Sequence, residues 1–133
     1  VALSWWDGFA KNRINGIFFD AINDLSVKTA SALPAGPSVD QFSDPGKFTS
    51  ILQAAGFKDI GIKYVSFAHN IRSIDELWNL AQGSFARIST VIRAQTIDVQ
   101  QRIRETVALK AKPYTSSNGL EIPIAFRVVS GTR

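Results

Sequence analysis

The stretch that decides the fold is the first, Val1-Ala2-Leu3-Ser4-Trp5-Trp6-Asp7. A Val-Ala-Leu run without a polar interruption predicts a buried β-strand, covered on both faces as in the middle of an open α/β sheet. Such sheets carry their ligand sites just beyond the carboxyl ends of their parallel strands. That puts Trp5, Trp6 and Asp7 at the rim of a cleft. A central strand needs neighbours on both sides, yet nothing precedes Val1, so the chain reads as beginning in the middle of a fold.

Beyond Asp7-Gly8 the apolar period changes from strand to helix. Ile14, Ile17, Phe18, Ala21, Ile22 and Leu25 form one helical stripe, with Asn12 placed as its N-cap. Two prolines and a glycine in Leu33-Pro34-Ala35-Gly36-Pro37 predict a loop over residues 34–43. Ser43-Asp44-Pro45 then offers a capping side chain ahead of a proline at the first helical position. Phe48, Ile51, Leu52 and Ala55 supply that helix's buried stripe, and Gly56 sits where a left-handed terminus is wanted.

A long strand follows, with Ile60, Ile62 and Tyr64 on one parity and Val65, Phe67 and His69 on the other, which predicts a bulge or twist near Tyr64-Val65. Ser73-Ile74-Asp75-Glu76 is a capping box opening a helix with Ile74, Leu77, Trp78 and Ala81 inward and Gly83 as its interruption. Phe85, Ile88, Val91 and Ile92 mark a second helix, and Val99, Ile103 and Val107 a third that Pro113 ends. After the turn cluster Thr115-Ser116-Ser117-Asn118-Gly119, Ile122, Ile124, Phe126 and Val128 alternate through a last strand. Ala125 and Val129 make its other face apolar as well, which argues for the interior of the sheet.

Composition bounds the chemistry. The 133 residues suit one domain. The net charge of +4 comes from basic residues scattered between Lys11 and Arg133, as on solvated helix faces and without the stripe of a nucleic-acid surface. With no cysteine, disulfides, thiolate nucleophiles and Cys-ligated zinc are excluded, in keeping with a cytoplasmic protein. A single histidine, His69, excludes a multi-His metal site within one chain. No apolar stretch approaches the roughly 20 residues of a membrane span, and no signal leader opens the chain.

The order strand, helix, loop, helix, strand, helical insertion, strand, together with these residues, resembles the C-terminal part of the class I, seven-stranded S-adenosylmethionine-dependent methyltransferases. Val1 to Asp7 resembles the fifth strand, and Leu52-Gln53-Ala54-Ala55-Gly56-Phe57 the approach to the sixth. Ser73-Ile74-Asp75-Glu76-Leu77-Trp78 resembles the insertion found in many of these enzymes, and Ile122-Pro123-Ile124-Ala125-Phe126-Arg127 the seventh strand. The resemblance implies an α/β fold: a partial doubly wound, Rossmann-like sheet of strands five to seven. The seventh strand would run antiparallel between the fifth and sixth, and residues 70–113 would form a helical insertion or lid. It also implies methyl transfer from S-adenosylmethionine to a small molecule by the complete enzyme. The family's glycine-rich turn and ribose carboxylate have no counterpart in residues 1–133, so tight cofactor binding is not expected of this chain alone.

The substrate-side candidates are Trp5, Trp6, Asp7, His69, Trp78, Phe85 and Tyr114. Trp5 and Trp6 either wall a pocket or split between the core and the sheet end. Asp7 either orients a substrate hydroxyl or amine or serves the turn with Gly8. His69 is a general base at a strand end or a surface histidine. Trp78 and Phe85 close a lid or pack as core, and Tyr114 closes the cleft or decorates a loop. No catalytic set is legible, and methyl transfer asks chiefly for proximity and alignment. The alternatives are a non-enzymatic binding or dimerisation module and a binder of lipophilic ligands between Trp78 and Phe85. An uncovered first strand implies a homodimer through that strand.

Overall fold

A computed structural model describes residues 1–28 and 39–133. It is α/β, with an open antiparallel sheet and five α-helices. The elements are β1 (Ala2–Trp6), α1 (Arg13–Asp24), α2 (Pro45–Ala54), β2 (Lys58–Ile71), α3 (Ile74–Ser84), α4 (Ala86–Arg93), α5 (Ile97–Ala111), β3 (Thr115–Ser116) and β4 (Gly119–Thr132). Short 3-10 turns cover Val39–Phe42 and Lys112–Tyr114. The strand order is β1-β4-β2, with β3 paired to β4 as a hairpin. The last strand therefore lies between the first and the second, and it runs antiparallel to β1.

The chain divides into two compact units, Val1–Asn12 with Gly36–Phe67 and Pro123–Arg133, and Arg13–Ala35 with Ala68–Ile122. In the first, Phe48 and Leu52 of α2 and Val129 of β4 are buried, with Trp5, Phe42, Phe57, Ile60 and Ile62 packed around them. Asp44 caps α2 by accepting from the Gly46 N–H at 2.8 Å, ahead of Pro45. Gly56 closes the helix at φ 82°, and the Phe57 N–H reaches back to the Leu52 carbonyl at 3.0 Å. Ile51 and Ala55, expected in the buried stripe, face solvent, because only Phe48 and Leu52 point at the sheet.

The parity change in β2 is a change of face. Ile60 and Ile62 belong to the α2-covered core, and Tyr64 faces Arg127. Phe67 instead meets Phe126, on the opposite face of the sheet. The apolar side of the strand changes hands along its length. The first strand, β1, is the uncovered edge expected of it, paired only with β4 among the described residues, but most of its side chains are exposed where cover on both faces was expected. Its apolar residues make an edge, not a covered centre. Pro123 fits the middle strand because its missing N–H falls on the β1 side, beyond the last β1 pair at Asp7 and Ala125.

In the second unit, α1 packs on α5, and α3 on α4 and α5. Ile17, Phe18, Leu77, Ile92, Ile103 and Val107 are fully or almost fully buried there. Ser73 caps α3 from its N-terminal side by accepting from the Glu76 N–H at 3.1 Å. The Glu76 carboxylate takes the Arg72 N–H at 2.7 Å, one residue earlier than a reciprocal capping box requires. The helix runs through Gly83 to Ser84, and Phe85 is the shared cap between α3 and α4. Asn12 is no cap: it is fully buried and neither of its side-chain polar atoms is hydrogen-bonded. The loop expected at 34–43 falls partly outside the described residues, and its end is the 3-10 turn at Val39–Phe42.

Candidate functional site

The tip of β1 carries the chemistry of the first unit. Asp7 continues the ladder, its N–H donating to the Ala125 carbonyl at 3.0 Å, and its side chain is only 6% exposed. One carboxylate oxygen accepts from the Gly8 N–H at 2.8 Å, which fixes the turn. The other lies 3.3 Å from Arg127 Nη2 and 3.6 Å from Lys11 Nζ. The turn that presents Lys11 is closed by the Lys11 and Asn12 N–H groups, both donating to the Gly8 carbonyl at 2.9 Å. Lys11 and Arg127 stand 5.2 and 5.7 Å from the centre of the Tyr64 ring, within the range of cation–π attraction. A single buried carboxylate thus gathers two cations and an aromatic ring from three strands and a turn.

Aromatic rings flank that cluster. Trp5, opposite Arg127 in the ladder, meets Phe42 edge-on at 4.7 Å. Trp6 projects from the other face and meets Phe126 at 6.2 Å, and Phe126 meets Phe67 at 6.4 Å, both edge to face. A cavity of about 500 Å³ opens here, lined by Ser4, Trp5, Trp6 and Phe126. That volume suits a small ligand. The walls are mostly apolar, with the Ser4 hydroxyl as the polar side chain among them.

Of the residues singled out in the sequence, Trp5, Trp6 and Asp7 share this region, although Asp7 already has partners on both oxygens. Trp78 and Phe85 belong to the second unit, where each ring stands 6.2 Å from Phe18, as core packing predicts. The Tyr114 hydroxyl accepts from Arg13 Nε at 3.0 Å, and Arg13 also pairs with Asp20 at 2.7 Å. That contact ties the end of the helical segment to the start of α1. His69 is exposed on β2. Among the described residues no group of His, Asp and Glu is placed to hold a metal ion. None of their helices is long and apolar enough to cross a membrane.

The sequence reading missed Lys11, Tyr64 and Arg127. Arg127 had a signal: it is the charge inside an otherwise apolar interior strand, Ala125-Phe126-Arg127-Val128-Val129. Such a charge demands a buried partner, and Asp7 was the carboxylate at the facing strand's tip. No protein-family model and no curated protein matches the chain.

Proposed function

We propose that this chain forms the substrate side of a class I S-adenosylmethionine-dependent methyltransferase that acts on a small molecule, its strands corresponding to strands five to seven of that sheet. The observation that carries the reading is the strand order: β4 lies between β1 and β2 and antiparallel to β1, the arrangement the resemblance implies for the seventh strand. In this reading Trp5, Trp6 and Phe126 receive the acceptor in the cavity at the tip of β1. The charged group of Asp7, Lys11 and Arg127 holds that tip in place. The cofactor supplies an electrophilic methyl group, and the chain's task is to dehydrate and align the acceptor against it.

The test is to express the whole open reading frame and titrate it with S-adenosylmethionine. Micromolar binding is expected, with Trp6→Ala lowering turnover of the acceptor while leaving cofactor affinity within twofold. A product of the whole frame that binds no cofactor defeats the reading. The unpaired edge of β1 favours a second reading, a module that works by association and not by catalysis.

A further inference from the structure

We propose that two copies of this chain join through β1 into one continuous sheet, antiparallel about a two-fold axis at Ser4. The proposal starts from where the backbone of β1 points. Val1 and Gly131 exchange both of their hydrogen bonds, at 2.7 and 3.0 Å, and the Asp7 N–H donates to the Ala125 carbonyl. In an antiparallel ladder, hydrogen-bonded and non-hydrogen-bonded pairs alternate. With the register of Leu3 to Val129 and Trp5 to Arg127, residues Val1, Leu3, Trp5 and Asp7 spend their donors and acceptors on β4. Ala2, Ser4 and Trp6 point theirs the other way. Among the described residues no strand meets them.

The common protections of a free edge are missing. The side chains of Val1 to Trp6 include no charge and no proline, the devices that blunt edge pairing. Leu3 and Trp6 are 43% and 47% exposed, and the cavity at Ser4, Trp5 and Trp6 leaves room beside the strand. The occupant these features fit is an extended, uncharged strand, because only a strand repeats donors and acceptors at the ladder spacing.

A second β1 has that chemistry, and its register follows. Only Ala2, Ser4 and Trp6 have backbone groups to give, so hydrogen-bonded pairs form among these three. Placing Ser4 opposite Ser4 sets Ala2 opposite the other copy's Trp6, and every outward donor and acceptor of both copies is used. Sliding to pair Ala2 with Ser4, or Ser4 with Trp6, strands one residue of each copy. The same register sets the indole of Trp6 against the methyl group of Ala2 on one face and Leu3 against Trp5 on the other, apolar pairs on both faces. The interface is isologous and closes at two copies.

The proposal rests on the second reading, a module that works by association, since in the methyltransferase reading the cavity at Trp5 and Trp6 receives the acceptor. Oligomeric state and cofactor binding are measured separately, so the two readings fail separately. The chain has no cysteine, so Ser4→Cys introduces a single thiol. Its Cα atoms across a hydrogen-bonded pair would be about 5.5 Å apart, within reach of a disulfide. By sedimentation the wild-type chain is expected to be a dimer, and Ser4→Cys to oxidise to a covalent dimer, while Leu3→Cys does not. Ser4→Pro removes an N–H that β4 does not use and should raise the dissociation constant at least tenfold with an unchanged far-ultraviolet spectrum. If that variant fails to fold, the cross-linking pair still decides. A wild-type monomer, as when a strand elsewhere in a longer polypeptide fills the edge, overturns the proposal. So does an open-ended aggregate, a dimer indifferent to a folded Ser4→Pro, or cross-linking at Leu3 in place of Ser4.

Discussion

Asp7 shows how much one residue organises here. Its carboxylate holds the Gly8 turn with one oxygen and faces Arg127 and Lys11 with the other. Asp7→Asn keeps an acceptor for the Gly8 N–H but leaves Arg127, 16% exposed, without its counter-charge. Breaking a fully buried pair costs roughly 3–5 kcal/mol. Lys11 is mostly hydrated and Arg127 partly so, which reduces the expected loss to about 2–3 kcal/mol. Urea denaturation of the two proteins measures it, and a loss below about 0.5 kcal/mol means the group is not held together by charge. At Ser26, by contrast, the backbone works against the side chain. Its φ of 50° follows α1, where the Ser26 N–H reaches the Asn23 carbonyl at 2.9 Å and the Val27 N–H the Ile22 carbonyl at 3.0 Å. This is the same helix ending that Gly56 makes after α2. Ser26→Gly relieves the left-handed strain and is expected to stabilise by about 1 kcal/mol. A fall in melting temperature instead would mean that the residue is not left-handed in solution.

Among the elements, α3 carries the clearest electrostatic signature. Hydrogen bonds from the Arg72 side chain, then from its backbone, hold the Glu76 carboxyl below its usual range. A carboxyl whose folded pKa is depressed contributes stability above its unfolded value, about 4.3 for Glu. That contribution is lost as pH falls through the lower folded value. Glu76→Gln should therefore melt below wild type at pH 7, with the gap closing as pH falls through the depressed folded value and the glutamate side chain becomes neutral. A gap that persists at low pH would assign the effect to packing. The helices were the legible part of this fold, because their caps and stripes are local: Asp44-Pro45, Ser73 and the Ile14–Ile22 period all lie where the spacing put them. Gly119 was read only as a turn residue. It sits at φ 127°, where a Cβ would run into the Ile71 carbonyl, a tertiary constraint that no local pattern carries. Burial of β1 was misjudged for a related reason. Three apolar residues in a row describe a covered strand and an uncovered edge equally well, and the neighbour that distinguishes them is far away in sequence. Tyr64 was likewise hidden, since its partners Lys11 and Arg127 come from opposite ends of the chain.

At the scale of the whole molecule, the test is what these 133 residues do with the cofactor when nothing is added to them. S-adenosylmethionine presents a methionyl carboxylate and a ribose diol. The class I methyltransferases receive them on a glycine-rich turn at a helix N-terminus and on a carboxylate ending a strand. Two places here lead from a strand into a helix. After β1, the single glycine of the turn, Gly8, gives its N–H to Asp7, and Asp7 has both oxygens engaged, so neither is open to a ribose. After β2, the first turn of α3 is occupied by the Ser73 cap and by Asp75 and Glu76. Two carboxylates at that terminus oppose a third. The isolated chain is therefore expected to show no heat of binding with S-adenosylmethionine at concentrations up to about 100 μM, which bounds the binding free energy at roughly −5.5 kcal/mol. Titration calorimetry on the 133-residue chain decides it. Micromolar affinity would mean that one of these two turns rearranges to accept the ligand. The cofactor side of any methyltransferase built on this sheet would then have to be sought inside the chain, not upstream of it.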